Sequence, residues 1–161
     1  QLMRDLGSMM SPQHAFILNL GLESLHVRME RHCENAQAVA EYLQKHPKIT
    51  WVRYSGLPGD AYHKAAKKYL PKGSCGVVSF GVKGGRDAAE TFMKHLKLGT
   101  IATHVADART CCLHPASSTH RQMNDAELDA AGVGADLVRL SVGLESKEDL
   151  ITDLEQALAE A

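Results

Sequence analysis

The sequence predicts a mixed α/β or α+β domain in which helices cover a small sheet. Apolar residues recur at helical spacing over a long stretch, from Leu25 to Leu43. Further along, several short segments alternate in polarity as strands do, and helical patterns separate them. The 161 residues, with 44% hydrophobic and 23% charged, suffice for one globular domain with a sizeable core.

Two helices are predicted before the first strand. Ser11 and Pro12 suit the N-cap and first position of a helix that runs to about Leu20 and is interrupted near Gly21. The long helix with the apolar stripe follows and is stopped by Pro47. Four segments are then predicted as strands: residues 48–56, 75–85, 110–115 and 136–145.

Shorter helices are predicted between and after these strands. Asp60 is expected to cap a helix over residues 61–70, and Gly99 to end an amphipathic helix over residues 86–99. Two further starts have capping signals three residues apart: Asn124 with Glu127, and Ser146 with Asp149.

Composition argues against several classes of protein. The net charge is about −1 with histidine neutral, so no basic excess indicates nucleic acid. The apolar runs are too short to span a bilayer, and residues 1–7 lack the apolar core of a signal peptide. The four cysteines form no C-x-x-C pair, which favours reduced thiols and a cytoplasmic protein.

The last predicted strand has one wholly aliphatic face, made by alternate residues: Val138, Leu140, Val142 and Leu144. Arg139 lies on the other face, where Ser141 and Gly143 leave room for a ligand. A buried guanidinium at the centre of a strand is costly unless an anion meets it. Arg139 is therefore either an exposed surface cation or a bidentate clamp for a carboxylate or phosphate.

The segment from Thr103 to Gln122 is dense in potentially functional side chains: His104, Asp107, Arg109, Cys111, Cys112, His114, Ser117, Ser118, Thr119 and His120. Three interpretations stay open. The C-C-x-H run could bind a metal, although its spacing is not that of a zinc knuckle. A Cys–His pair could act as nucleophile and base, or the segment is a polar loop with satisfied hydrogen bonds. The charged helix face from Arg28 to Ala36 fits either a solvated surface or an interface.

Four segments together resemble a known family: LESLHVRMERHCENAQAVAEYLQKHPKITWVRYSGLP, KKYLPKGSCGVVSFGVKGG, THVADARTCCLHPASSTHRQM and LVRLSVGLE. They are similar to the C-terminal part of the pyridoxal-phosphate (PLP) enzymes of Cys/Met metabolism, in particular the O-acetylhomoserine sulfhydrylase (homocysteine synthase) branch. HPASSTH and LVRLSVGLE are specific to the family. The resemblance implies the small C-terminal domain of a fold-type-I PLP-dependent transferase, with a long N-terminal helix and a mostly antiparallel sheet covered by helices.

The resemblance also implies roles for two residues. In the family, the arginine of VRLSVG binds the substrate α-carboxylate, which implies that role for Arg139. A residue shortly before the family's GDA sequence helps to hold the same carboxylate through its backbone. The matching residue is His104, where serine or asparagine is more usual, and Ala106 stands where glycine is common. No catalytic residue, cofactor ligand or metal ligand is assigned within this chain.

The resemblance divides the protein into parts. It implies an interdomain segment and helix over residues 1–24 and a substrate-binding domain over residues 25–161. The family's Schiff-base lysine lies in a Ser-x-x-Lys segment of a larger N-terminal domain, and that segment does not occur here. We therefore expect PLP to be bound mainly by an N-terminal domain outside this sequence, and the 161 residues alone to be inactive.

The implied activity is a γ-replacement that makes homocysteine from O-acetylhomoserine and sulfide. Two alternatives stay open: a related reaction of cystathionine γ-synthase or methionine γ-lyase type, and a binding or assembly domain without catalysis. The implied partners are an amino-acid substrate, the N-terminal domain and further copies in a homo-oligomer, with no nucleic acid or membrane. Without that domain, we expect self-association through apolar surface around Leu6, Met9, Met10, Phe16 and Ile17.

Overall fold

The computed structural model describes residues 5–161. In chain order, its elements are α1 (Pro12–Glu23), α2 (Leu25–Lys45), β1 (Ile49–Arg53), α3 (His63–Tyr69), β2 (Val77–Val82), α4 (Gly85–His95), β3 (Thr100–Ile101), β4 (Cys111–Leu113), a 3₁₀ turn (Pro115–Ser117), α5 (Asp125–Ala130), β5 (Leu137–Ser141) and α6 (Lys147–Glu160). The predicted mixture of helices and a small sheet is confirmed. The first four residues of the predicted interdomain segment lie outside the described residues.

The five strands form one sheet in the order β1-β2-β5-β4-β3. Neighbours are antiparallel except β3 and β4, which are parallel. The predicted mostly antiparallel sheet is therefore confirmed. Strand β5 is central, and its Arg139 lies opposite Ser79 on β2 and Leu113 on β4. The backbone at this position is hydrogen-bonded to strands on both sides, so it gives the side chain a rigid support.

Helices α2, α4 and α6 pack on one face of this sheet and form the core with it. Alternate strand residues point into that core, and four of them are fully buried: Val78, Phe80, Val138 and Leu140. Phe80 meets Phe92 of α4 edge to face, with ring centroids 5.8 Å apart. Alternation in β5 thus places aliphatic side chains in the core and sends Arg139 to the opposite face, as predicted.

Local capping signals are confirmed where they were predicted. The Ser11 side chain accepts from the N–H of His14, and Pro12 begins α1. Asn124 and Glu127 form a reciprocal capping box at the start of α5. The Ser146 hydroxyl accepts from the N–H of Asp149 at the start of α6. Each of these contacts joins residues three apart, so the sequence alone specifies it.

Two helix boundaries were predicted wrongly. Helix α1 continues through Gly21 to Glu23. A glycine inside a helix costs only about 1 kcal/mol relative to alanine and need not break it. Helix α4 ends at His95 rather than near Gly99, because Leu96 already has extended backbone angles (φ −61°, ψ 134°).

Three further details differ from the prediction. Asp60 accepts from the N–H of Tyr62, but α3 begins only at His63. Strand β5 ends at Ser141, so Leu144 lies beyond it and is only half-buried. Strand β3 was missed because its two residues are both exposed and too few to show alternation.

Helix α1 buries none of its residues against the rest of the described chain. The apolar side chains predicted to be exposed are so, with exposed fractions of 75%, 88%, 53%, 65% and 59% for Leu6, Met9, Met10, Phe16 and Ile17. No helix among residues 5–161 combines the length and apolar character needed to cross a membrane. The exposed apolar side chains of α1 and of the residues before it thus form a surface that no other described part of the chain covers.

Candidate functional site

Arg139 emerges from the centre of the sheet, on the face opposite the helical core. Its Nη2 atom donates to the carbonyl of Thr103 at 2.9 Å and lies 3.5 Å from that of His104. Its Nε atom is buried, and no described residue accepts from it. The guanidinium is thus fixed at one corner by backbone while other donors stay unpaired. A planar guanidinium with unpaired N–H groups suits a carboxylate or a phosphate.

The segment 103–110 covers the end of β5 beside this arginine. The N–H of Ala106 donates to the hydroxyl of Ser141 at 3.0 Å, and Ser141 is only 1% exposed. A Cβ on Gly143 would lie 2.5 Å from the nitrogen of Thr110. The space expected beside Ser141 and Gly143 is therefore filled by the protein's own loop. The expectation that these two small residues leave room for a ligand was wrong.

A cluster of buried and half-buried polar residues holds that loop in place. The Glu145 carboxylate accepts from the N–H of Thr110 at 2.6 Å and from its hydroxyl at 2.9 Å. The same hydroxyl accepts from the N–H of Gly143 at 2.8 Å. Asn35 of α2 donates through Nδ2 to the carbonyls of Gly143 and Glu145, at 2.9 and 2.8 Å. These residues connect helix, strand end and loop into one unit, and sequence reasoning missed them.

In the helix segment from Arg28 to Ala36, the charged residues Glu30, Arg31 and Glu34 are exposed, as expected for a solvated face, but two polar residues are buried. Asn35 is fully buried and His32 is 1% exposed. His32 Nδ1 lies 2.6 Å from the carbonyl of Val142, so this nitrogen carries the proton. The signal in the sequence was a histidine and an asparagine three apart, near the apolar stripe of an otherwise charged helix. They are buried because the end of β5 offers them backbone partners.

His104 contacts the arginine through its backbone and an acid through its ring. Its Nδ1 lies 3.6 Å from the Asp107 carboxylate, and its side chain is 65% exposed. The N–H of Arg109 donates to Asp107, and this hydrogen bond holds the pKa of that carboxyl below its usual range. Between His104 and Asp107, Ala106 has a φ of 60°, in the left-handed region that glycine adopts most easily. The structure thus brings His104 and Arg139 together.

Cys112 and His114 of the C-C-x-H run are both engaged in other contacts. Cys112 is fully buried in the core, where desolvation raises the pKa of its thiol. His114 uses both ring nitrogens, Nδ1 with the Ser117 hydroxyl at 2.7 Å and Nε2 with the Ala135 carbonyl at 2.8 Å. Neither residue is free to act as a ligand or as a nucleophile–base pair. His114 instead ties the end of β4 to the start of β5.

Comparison with known proteins identifies the family. The sequence model described as "Cys/Met metabolism PLP-dependent enzyme" matches residues 1–159. The chain belongs to this family. Members of the family depend on PLP. The resemblance noted in the motifs around Arg139 is thereby confirmed.

Curated relatives show which members of the family this chain is similar to. The chain is 48% identical to a homocysteine synthase of Schizosaccharomyces pombe, covering 98% of this chain and 37% of the relative. It is 48% identical to an O-acetyl-L-homoserine sulfhydrylase of Leptospira meyeri, covering 97% and 36%. An L-methionine γ-lyase of Fusobacterium nucleatum is 46% identical, covering 94% and 38%. The chain therefore spans little more than a third of the length of these relatives.

A solved structure shares the fold. A Campylobacter jejuni crystal structure, described as an O-acetylhomoserine (thiol)-lyase, has a TM-score of 0.89 and 41% identity. The match covers 99% of this chain and 38% of that one. The solved protein contains N'-pyridoxyl-lysine-5'-monophosphate. The predicted fold class, a small domain from a PLP-dependent transferase, is thereby confirmed.

Proposed function

We propose that residues 25–161 form the C-terminal substrate-binding domain of a PLP-dependent enzyme, and that residues 1–24 connect it to an upstream PLP-binding domain. Two observations support this division. The match covers only 37% of the Schizosaccharomyces pombe relative. Helix α1 and the residues before it expose an apolar surface that a packed neighbouring domain would cover.

Arg139 is the residue that carries the proposal. Its buried, unpaired Nε atom is an orphan donor that an anion would satisfy. We assign this anion as the α-carboxylate of an amino-acid substrate, which two guanidinium N–H groups can bind side by side. The backbone of His104 would help by holding the Nη2 atom of the guanidinium in place. His104 is thus proposed as part of the same carboxylate site.

This chain's residues fit the substrate side of the PLP site. PLP, when bound, acts as an electron sink for charge that develops on the substrate carbons. The part of Arg139 is to fix the carboxylate and thereby the direction of the Cα–H bond relative to the cofactor ring. The strands on both sides of β5 hold the backbone of Arg139 in place and so give its side chain a rigid base. Binding of PLP itself is assigned to the upstream domain.

The proposed reaction is γ-replacement, in which sulfide displaces acetate from O-acetylhomoserine and gives homocysteine. The homocysteine synthase and sulfhydrylase relatives, both 48% identical, support it. A second candidate is elimination of the methionine γ-lyase type, because one such relative is 46% identical. We expect a homo-oligomer and a cytoplasmic location for the complete enzyme, as in the family.

The carboxylate role is tested by kinetics of the full-length protein. Arg139→Ala should lower kcat/KM for O-acetylhomoserine about 100-fold or more, since a charge-assisted clamp contributes about 3 kcal/mol. Arg139→Lys should recover only part of this, because lysine cannot form the bidentate pair. The PLP absorbance should stay unchanged in both variants.

Arg53→Ala is the matched control for Arg139. Arg53 is exposed on the same sheet face, opposite Ser79, which is itself opposite Arg139. It should retain nearly full activity. If Arg139→Ala stayed within about threefold of wild type, the carboxylate assignment would be wrong.

Substrate comparison separates the two candidate reactions. The full-length enzyme is assayed with O-acetylhomoserine plus sulfide, with O-acetylhomoserine plus cysteine, and with methionine alone. We expect homocysteine formation from sulfide to have the highest kcat/KM. A higher kcat/KM for methionine breakdown would support the γ-lyase alternative, and turnover of cysteine to cystathionine would support the synthase alternative.

A further inference from the structure

Three metal-ligating side chains converge on the loop next to Arg139. One ligand atom each from His104, Asp107 and Cys111 lies within 4.8 Å of the other two. The His104 Nδ1 and an Asp107 oxygen are 3.6 Å apart. Ligands about 2.0–2.3 Å from a tetrahedral zinc ion are about 3.5 Å from each other. The His104–Asp107 separation already has this value, and the separations from Cys111, at most 4.8 Å, would have to shorten by about 1.3 Å or less.

The donor set is the one expected for zinc. Imidazole, carboxylate and thiolate are its three protein ligand types, and an arrangement with three of them leaves a fourth position open. We propose that His104, Asp107 and Cys111 form a zinc-binding site on this loop. The spacing H-x₂-D-x₃-C keeps all three ligands in one short segment, within the range of spacings found in natural zinc sites.

The shape of the loop brings the ligands together. Ala106 lies between His104 and Asp107 and has a φ of 60°, which reverses the chain locally. The N–H of Arg109 holds the Asp107 carboxylate at 3.0 Å. Two of the three ligands therefore approach each other before any ion arrives, which lowers the cost of ordering them.

Access and burial are also suitable. The His104 side chain is 65% exposed and Cys111 is 2% exposed, so the ion would enter from solvent and rest on a buried sulfur. The thiol now donates weakly to the carbonyl of Arg109 at 3.5 Å. Zinc would replace this proton, which leaves to solvent as the thiolate forms. The arginine next to the site uses the backbone carbonyl of His104, whereas zinc would use its ring.

The inference does not depend on the proposed function, and its test measures metal binding directly. The full-length protein is freed of metal with a chelator and titrated with Zn²⁺ by calorimetry. It is also titrated with Co²⁺, whose charge-transfer absorption reports a thiolate ligand. We expect one high-affinity equivalent per chain and a thiolate signal. Absence of a stoichiometric site in the wild-type protein would overturn the proposal.

Variants then assign the ligands. Cys111→Ser should remove the cobalt–thiolate signal and weaken zinc binding at least about tenfold, and His104→Asn should weaken it similarly. His104 is exposed, so this variant keeps the test valid even if replacement of the buried cysteine disturbs folding. Cys33→Ser, a half-buried thiol elsewhere, is the matched control and should bind as wild type does. Binding that is unchanged in His104→Asn would refute the site.

Discussion

The Glu145 carboxylate accepts both the N–H and the hydroxyl of Thr110, at 2.6 and 2.9 Å, across 35 residues of sequence. This pair joins the end of the loop that covers β5 to a residue four positions beyond the end of that strand. The same loop supplies the carbonyl of Thr103 that fixes Arg139. The position of the guanidinium therefore depends on a carboxylate that does not touch it.

Glu145→Gln should loosen the loop. A glutamine side chain has one acceptor oxygen instead of two. Either the N–H or the hydroxyl of Thr110 therefore loses its acceptor, and the lost hydrogen bond costs about 1–3 kcal/mol. Hydrogen exchange of the Thr110 amide should become at least about tenfold faster, since tenfold corresponds to about 1.4 kcal/mol. Glu160→Gln, on the exposed end of α6, is the control and should leave it unchanged. Equal exchange rates in both variants would contradict the positioning role.

Asp153 is predicted to be a major stabilising residue. It is 7% exposed, and its carboxylate accepts from the backbone N–H groups of Lys97, Leu98 and Gly99 at 2.8–2.9 Å. Asp153→Ala leaves these donors unpaired and should lower the free energy of unfolding by about 3 kcal/mol. Chemical denaturation measures the loss. Asp129→Ala, on exposed helix α5, should change it by about 0.5 kcal/mol or less.

The edge-to-face contact of Phe80 and Phe92 should be energetically coupled. Both rings are fully buried, with an interplanar angle of 84°. Replacement of each by leucine, and of both together, forms a double-mutant cycle. We expect a coupling of about 0.5–1.5 kcal/mol beyond the loss of buried area. Additive effects in denaturant titrations would show that the two rings contribute only through burial.

The loop should weaken in acid. The pKa of Asp107 is lowered below 3.8, chiefly by the Arg109 N–H bond. Because the folded state has the lower value, the stabilisation is complete above the ordinary pKa and is lost as pH falls through the lowered one. NMR titration of the carboxyl should show a midpoint below 3.8, with faster exchange of the Arg109 amide on protonation. Asp107→Asn should remove this pH dependence, and a midpoint at or above the ordinary value would contradict it.

Thiol modification should distinguish the cysteines. Cys33 is half-buried and Cys112 is fully buried, and burial raises the pKa of both thiols. Alkylation in the native protein should be slow at Cys33 and should reach Cys112 only through global unfolding. Mass spectrometry of peptides follows both rates. Comparable rates at the two positions, without denaturant, would mean that Cys112 is not in a closed core.

Much of the fold could be predicted because its signals are local. The Ser11, Asn124 and Ser146 caps act on residues three positions away, and the apolar stripes of α2 and β5 follow from helix and strand periods. Boundaries were less predictable. The end of α4 depends on Asp153, which binds the backbone N–H groups that follow the helix from 54–56 residues away.

The candidate site divides in the same way. Alternation alone places Arg139 on the face opposite the core, and motif resemblance implies the carboxylate role that kinetics must test. Only the tertiary structure showed that the loop fills the space beside Ser141 and Gly143, and that Asn35 holds the strand end from α2. The reason is physical: these contacts join residues 33–110 positions apart, and strand order, not local periodicity, decides which of them meet.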